Sequence, residues 1–261
     1  CQMPMFVPAE NYIDYAKFNN VWECNNSVMV PCLEGIEALY NAVVLSIKDY
    51  VKKNGFKEVI LGLSGGIDSA LVAAMSVDAL GCENVKAFML PSEFTSQSSM
   101  DDSKEISKRL DISLECLSIT NNFEEINKTL KPVFGMNKFD ITEENIQSRL
   151  RALLLMAISN KFGSMLISTS NKSESAVGYS TLYGDMSGGF APLKDLWKTQ
   201  VFELANWRNL NKPKNSLEPT LNIIPETVIN KQPTAELRDN QKDTDSLPDY
   251  SRLDQILALA I

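Results

Sequence analysis

The stretch Glu58 to Met75 constrains the fold more than any other part of this sequence. Val59 to Leu63 is a short apolar run, too brief for a helix and of the length expected for a buried strand. Ser64, Gly65 and Gly66 follow as a tight turn whose backbone amides lack side-chain cover. From Ile67 the Ala- and Leu-rich sequence predicts a helix, with Asp68 and Ser69 in its first turn. Strand, glycine turn and helix start together present N–H donors at the positive end of a helix dipole, a ready site for phosphate or pyrophosphate. The spacing and lysine of a Walker A loop are absent, so this is another kind of phosphate loop.

The rest of the chain repeats the alternation. Further strands are predicted at Val85–Leu90, Ser113–Ile119 and Ser164–Ser168. Helices are predicted over 34–54, over 67–80, from near Ser98, and over 121–130 with a stop near Pro132. A long helix capped by Thr142 follows, its apolar face made of Ile146, Leu150, Leu153, Leu154, Ala157 and Ile158. Strands alternating with helices imply right-handed βαβ crossovers. The fold class is therefore α/β, a doubly wound parallel sheet with helices on both faces. Ligands of such sheets bind outside the carboxyl ends of the strands, which gathers loops 64–69, 91–97 and 169–185 into one crevice. Residues 1–33, irregular and with scattered prolines and aromatics, read as an N-terminal arm or connector to a domain over 34–261.

Composition narrows the function. A net charge of −8 argues against a general nucleic-acid binder. No apolar run reaches the roughly 20 residues needed to span a bilayer, and no signal-peptide layout opens the chain, so a cytoplasmic protein without a membrane partner is expected. The chain has no histidine, which excludes Ser-His-Asp and Cys-His nucleophilic sites and imidazole-ligated zinc. Cys1, Cys24, Cys32, Cys82 and Cys116 form no C-x-x-C pair and read as free thiols.

Two later stretches carry polar chemistry. Asn145 and Arg149 lie four apart on the long helix, and Arg149 suits a phosphate or carboxylate; a solvated surface arginine is the plainer reading of the same spacing. After the fourth strand come Thr169, Asn171, Lys172 and Glu174. Asp68 and Glu174 together suit Mg²⁺ held against phosphate oxygens, while Glu174 alone also reads as an acid at a helix start. Gly178, Gly184, Gly188 and Gly189 predict a loop able to close over a ligand.

These motifs resemble a known family. Ser-Gly-Gly-x-Asp-Ser at 64–69 is similar to the loop of PP-loop ATP pyrophosphatases, with their adenine nucleotide alpha hydrolase-like fold. Joined with Thr-Glu-Glu-Asn-Ile-Gln-Ser-Arg at 142–149, Ser170-Asn-Lys-Ser-Glu174, Leu182-Tyr-Gly-Asp-Met-Ser-Gly-Gly-Phe-Ala191, Pro233-Thr-Ala-Glu-Leu-Arg238 and Asp243-Thr-Asp-Ser-Leu-Pro248, it resembles NAD⁺ synthetase. The likeness runs from about residue 34 to the end and is closest to the synthetase domain of glutamine-dependent, two-domain members. In those an amidase domain precedes this one and supplies ammonia; no counterpart of it is read here.

The resemblance implies a carbon–nitrogen ligase with ATP as co-substrate and Mg²⁺ as cofactor. Deamido-NAD⁺ would be adenylated, releasing pyrophosphate, and ammonia would then displace AMP to give NAD⁺. By position Ser64, Gly65, Gly66, Asp68 and Ser69, flanked by Gly62, Leu63 and Ile67, would bind ATP. Thr169, Lys198 and Thr234 would join them, with Met89 and Leu90 bracketing adenine through backbone groups. Asn145, Arg149, Glu174 and Asp185 would face deamido-NAD⁺, with Asp68 and Glu174 on the metal. Asp68, Glu174 and Lys198 are the expected catalytic groups, although a lone Lys198 also reads as a solvated helix cation. A homodimer is implied, with an amidase partner or missing domain as the source of ammonia. The apolar tail Ile256–Ile261 is read as a cut or missing segment, because members continue into a basic clamp. The rivals are another ATP pyrophosphatase, of the GMP synthetase or tRNA-thiolating type, and a nucleotide-binding subunit without catalysis.

Overall fold

The computed structural model describes residues 14–18, 21–25, 33–135, 138–214, 216–217 and 220–260. They fall into two units, Cys1–Glu34 and Gly35–Ile261. The first contains β1 (Asp14–Phe18) and β2 (Val21–Asn25), paired antiparallel with Phe18 opposite Val21. Neither strand carries an apolar alternation, which is why the sequence showed only an irregular arm there.

The second unit runs α1 (Gly35–Lys53), β3 (Val59–Gly62), α2 (Ile67–Leu80), β4 (Val85–Met89), α3 (Gln97–Arg109) and β5 (Ser113–Cys116). It continues with α4 (Thr120–Phe134), α5 (Ile141–Phe162), β6 (Met165–Leu166), α6 (Lys172–Ala176), α7 (Lys198–Leu210), α8 (Glu226–Asn230) and α9 (Tyr250–Ala260). The four strands form a parallel sheet in the order β5-β4-β3-β6. Successive side chains go to opposite faces. Val59 and Leu61 join the large core under α1, α2 and α7, while Ile60 joins Phe88, Leu166 and Leu155 of α5 on the other face. Both faces are covered, as a doubly wound sheet requires.

Several local expectations shift. Asp140, not Thr142, caps α5: its Oδ1 accepts the Thr142 N–H at 2.7 Å, and its own N–H donates to Glu143 at 2.8 Å. Leu153 is 64% exposed, and Leu155 takes its place in the core. Successive residues turn by about 100°, which puts Leu155 on the side of α5 opposite Ile146 and Leu150; it packs under the sheet with Ile60, Phe88 and Leu166, while Ile146 and Leu150 pack on Phe123. Helix α4 carries Pro132 within its last turn and closes on Gly135, whose N–H donates to Lys131 O. A proline that late lacks only a bond the fraying end makes weakly. Strands β5 and β6 are shorter than expected, β6 being prolonged by a single bridge between Ile167 and Phe190.

Behind the sheet lies a buried ionic tie. Arg208 of α7 donates from Nε to Asp78 Oδ2 at 2.8 Å and from Nη2 to Oδ1 at 3.0 Å, with both side chains fully buried. Tyr40 of α1 donates to the same carboxylate at 2.6 Å, and Ser216 bonds it as well. Burial, followed by the Asp78 charge, holds the Tyr40 phenol well above its ordinary range.

Candidate active site

Strand order moves outward from β3 through β4 to β5, then returns to place β6 on the other side of β3. That reversal opens a crevice at the carboxyl ends, where a cavity of about 400 Å³ is found. Its walls come from 62–69, 88–99, 166–187 and 231–243, with α5 along one side.

The glycine turn forms the floor. Ser64 Oγ lies 3.2 Å from Ser69 Oγ and accepts the Gly66 N–H at 3.3 Å, while Ser69 Oγ donates to Gly66 O at 3.0 Å. Gly66 caps α2 with no side-chain acceptor, so the first-turn amides face the cavity without a local partner of that kind. Gly65 has φ +77°, and a Cβ there would stand 2.3 Å from the Ser99 carbonyl, so α3 and the turn meet at a distance only glycine allows.

Asp68, Glu174 and Lys198, far apart in sequence, meet in this cavity. Lys198 Nζ donates to Asp68 Oδ2 at 2.5 Å and to Glu174 Oε1 at 2.9 Å, and its side chain is 3% exposed. The solvated helix cation is thus not what the fold makes of Lys198. Asn171 holds the other side of the pair: Nδ2 donates to Asp68 Oδ1 at 2.9 Å, and Oδ1 accepts the Glu174 N–H at 3.0 Å as the cap of α6. Glu174 is therefore both a first-turn acid and a cavity group.

One ammonium between two carboxylates leaves an excess negative charge. Burial lifts the Glu174 carboxyl to about 7; the Lys198 ammonium opposes the rise and the Asp68 charge adds to it. Burial alone would pull Lys198 down, but the two carboxylates outweigh it and hold the ammonium above its ordinary range. The sign of the consequence is definite. Between the ordinary carboxylate range and pH 7 the folded protein keeps a proton that the unfolded chain releases, so this group withdraws stability as pH rises through that window. Glu174→Gln should therefore raise the melting temperature relative to the parent at pH 8 more than at pH 5, by at most about 3 kcal/mol of stability. Melting curves offset equally at both pH values would count against the shift.

The remaining residues singled out in the sequence divide. Gly62, Leu63, Ile67, Leu90, Thr169, Thr234, Asn145 and Asp185 line the cavity. Thr234 Oγ1 donates to Gln241 O at 2.6 Å. Of the backbone groups at the end of β4, Leu90 O accepts Arg151 Nε at 2.9 Å and Met89 O accepts the Leu117 N–H at 2.8 Å. Asn145 Oδ1 accepts Thr181 Oγ1 at 2.7 Å, and Asp185 Oδ1 accepts the Thr181 N–H at 2.6 Å, so both brace the glycine-containing loop. Arg149 is not among the cavity walls. It is exposed, with Nε donating to Leu182 O at 3.2 Å.

Sequence reasoning passed over several groups in the cavity wall or beside it. Arg151 is half-buried, and the desolvation of its guanidinium lowers it to about 10. Glu236 accepts Ser99 Oγ at 2.7 Å and Ser96 Oγ at 2.8 Å at the start of α3, with Lys231 Nζ 2.5 Å from Ser99 Oγ. Tyr250 Oη donates to Asp243 at 2.8 Å and lies 3.4 Å from Glu174 Oε1. Only the blocks at 233–238 and 243–248 gave any signal, and they pointed to no particular atom.

Comparison with known proteins places this geometry. The sequence profile described as NAD synthase matches residues 39–261. The glutamine-dependent NAD(+) synthetase of Rhodobacter capsulatus is 50% identical over 256 residues, covering 98% of this chain and 46% of that protein. The structure of glutamine-dependent NAD⁺ synthetase from Acinetobacter baumannii in complex with ADP superposes with a TM-score of 0.72 at 45% identity, covering 92% of this chain and 41% of that one. NMN synthetase from Francisella tularensis gives 0.75 at 27% identity, over 86% and 87% of the two chains. The chain thus spans less than half the length of its glutamine-dependent relatives.

Proposed function

The chain belongs to the NAD synthase family, and from that premise we propose that it carries out the ATP-dependent amidation of deamido-NAD⁺ to NAD⁺, the last step of NAD biosynthesis. The nicotinate carboxylate oxygen attacks the α-phosphorus of ATP and pyrophosphate leaves. Ammonia then attacks the activated carbonyl, loses a proton, and AMP departs with the former carboxylate oxygen. The observation that carries this reading is the convergence of the glycine turn, Asp68, Glu174 and Lys198 in one cavity. Charge develops on phosphate oxygens throughout, so fixed amide donors and a buried ammonium are the useful groups. Ser64, Gly65, Gly66 and Ser69 present the turn to the leaving pyrophosphate, and Lys198, Thr169 and Thr234 reach the cavity beside it. Asn145 and Asp185 shape the wall for deamido-NAD⁺, with Arg149 of α5 outside that wall, holding the Leu182 carbonyl of the facing loop.

The donor set fits Mg²⁺. Asp68 and Glu174 present carboxylates around one point now bridged by the Lys198 ammonium, and among the described residues no set of three or more acidic, Cys or His groups forms a complete cage. A small hard cation that keeps water and phosphate ligands needs no more than two such carboxylates. When bound there, Mg²⁺ supplies charge neutralisation on the phosphate oxygens.

The glutamine dependence in the relatives' names supports ammonia delivery by an amidase, on a separate or an additional domain. A homodimer is supported by the exposed apolar residues Leu153, Met156 and Phe162 on α5 and Leu45 on α1. No described helix is long and apolar enough to cross a membrane, and we place the protein in the cytoplasm. The test is incubation with ATP, Mg²⁺, deamido-NAD⁺ and either ammonium or glutamine. NAD⁺ and AMP should appear in equal amounts with ammonium; no NAD⁺ from either donor would overturn the reading.

A further inference from the structure

Helix α9 buries Leu253 and Asp254, while Ile256 and Leu259 are exposed. Asp254 is 5% exposed, and both of its carboxylate oxygens are engaged. Oδ1 accepts from Ser173 Oγ at 2.5 Å, and Oδ2 accepts the Thr199 N–H at 2.9 Å. Ser173 Oγ in turn accepts the Lys198 N–H at 2.8 Å. One carboxylate therefore ties the first turn of α6 to the first turn of α7. Glu174 is the residue after Ser173, and Lys198 the residue before Thr199.

The arrangement answers a local deficiency. Trp197, at the cap position of α7, has no side-chain oxygen to accept the amides of the first turn, and Asp254 supplies one from another element. An apolar contact would dock α9 with a smaller desolvation cost than a buried anion. A carboxylate that takes one donor from each helix does something an apolar contact cannot: it sets their distance and relative rotation. Tyr250, one turn earlier on α9, adds a second contact, its ring 5.2 Å from Lys198 Nζ.

Resting on the reaction proposed above, we infer that Asp254 is a positioning residue, which sets the separation between Lys198 and Glu174 by bridging Ser173 and the Thr199 amide. Asp254 is not among the residues that line the cavity. Misplacement of reacting groups by about 1 Å can cost roughly 100-fold in rate, so loss of this bridge should appear in turnover before it appears in binding.

The experiment compares Asp254→Asn, Ser173→Ala, the double variant and Leu253→Ala with the unsubstituted protein, assaying AMP release with ammonium. Asparagine keeps the shape but has no charge and a single acceptor oxygen, so it cannot accept from both Ser173 Oγ and the Thr199 N–H. For Asp254→Asn and Ser173→Ala, kcat per folded molecule should fall at least about 10-fold with KM for ATP within about twofold. The double variant should be no slower than the worse single, because both break one bridge. Leu253→Ala, which loosens the same helix without touching the bridge, should lower the melting temperature and retain kcat. Unchanged kcat in Asp254→Asn and Ser173→Ala, or an equal fall in Leu253→Ala, would overturn the assignment. If Asp254→Asn does not fold, Ser173→Ala decides alone, since it deletes a single hydroxyl. Failure of the underlying reaction is distinguishable, because then the unsubstituted protein releases no AMP either.

Discussion

Asp68→Asn is expected to lower AMP release by at least about 100-fold while the protein stays folded. Asp68 stands in the first turn of α2, receives Lys198 at 2.5 Å and Asn171 at 2.9 Å, and faces the cavity above the glycine turn. The amide keeps the size of the side chain and the packing beneath it, but removes the charge that balances Lys198 against the phosphates. The same change should make Glu174 easier to ionise, because the Asp68 charge is among the influences that raise it. Turnover by release of AMP, with the far-ultraviolet spectrum and melting temperature as controls, makes the test. A folded variant within a few-fold of normal turnover would show that Asp68 is not a catalytic group.

Asp78→Ala is expected to cost about 3–5 kcal/mol of stability without any direct effect on the chemistry. The change leaves a fully buried guanidinium without its carboxylate, and Tyr40 and Ser216 without their shared acceptor. Arg208 also donates to Asn211 O and Thr220 O, so the tie organises the segment after α7 as well as the α1–α2–α7 packing. Replacing Asp78 and Arg208 together by apolar residues of similar volume should cost far less than Asp78→Ala alone, because no charge is then stranded. Urea unfolding measures both. A loss below about 1 kcal/mol for Asp78→Ala would mean that the ion pair is dispensable to the fold.

The glycine turn and its flanking strand and helix were legible because the signal is local: period, turn chemistry and helix start all lie within residues 58–80. The same holds for the parallel order of elements, since alternating short apolar runs and helices admit few other folds. Asp140 was missed as the α5 cap because Asp140 and Thr142 are both good caps and only backbone geometry chooses between them. Arg149 illustrates a different limit. Four-residue spacing put it on the Asn145 side of α5, but whether a long side chain ends in a cavity or outside depends on the loop opposite, which it holds by the Leu182 carbonyl.

Sequence alone determined which groups are at hand: a glycine turn between strand and helix, two acids in ordered motifs, a separate lysine, and no histidine. Tertiary structure alone decided how they act together. Lys198 reads as an ordinary helix cation until the fold buries it between Asp68 and Glu174, and Asp254 reads as an ordinary polar helix residue until it joins α6 to α7. The physical reason is range. Propensity and periodicity are written within a few residues of chain, whereas burial, charge balance and the meeting of positions 68, 174, 198 and 254 exist only once the sheet has closed over its core.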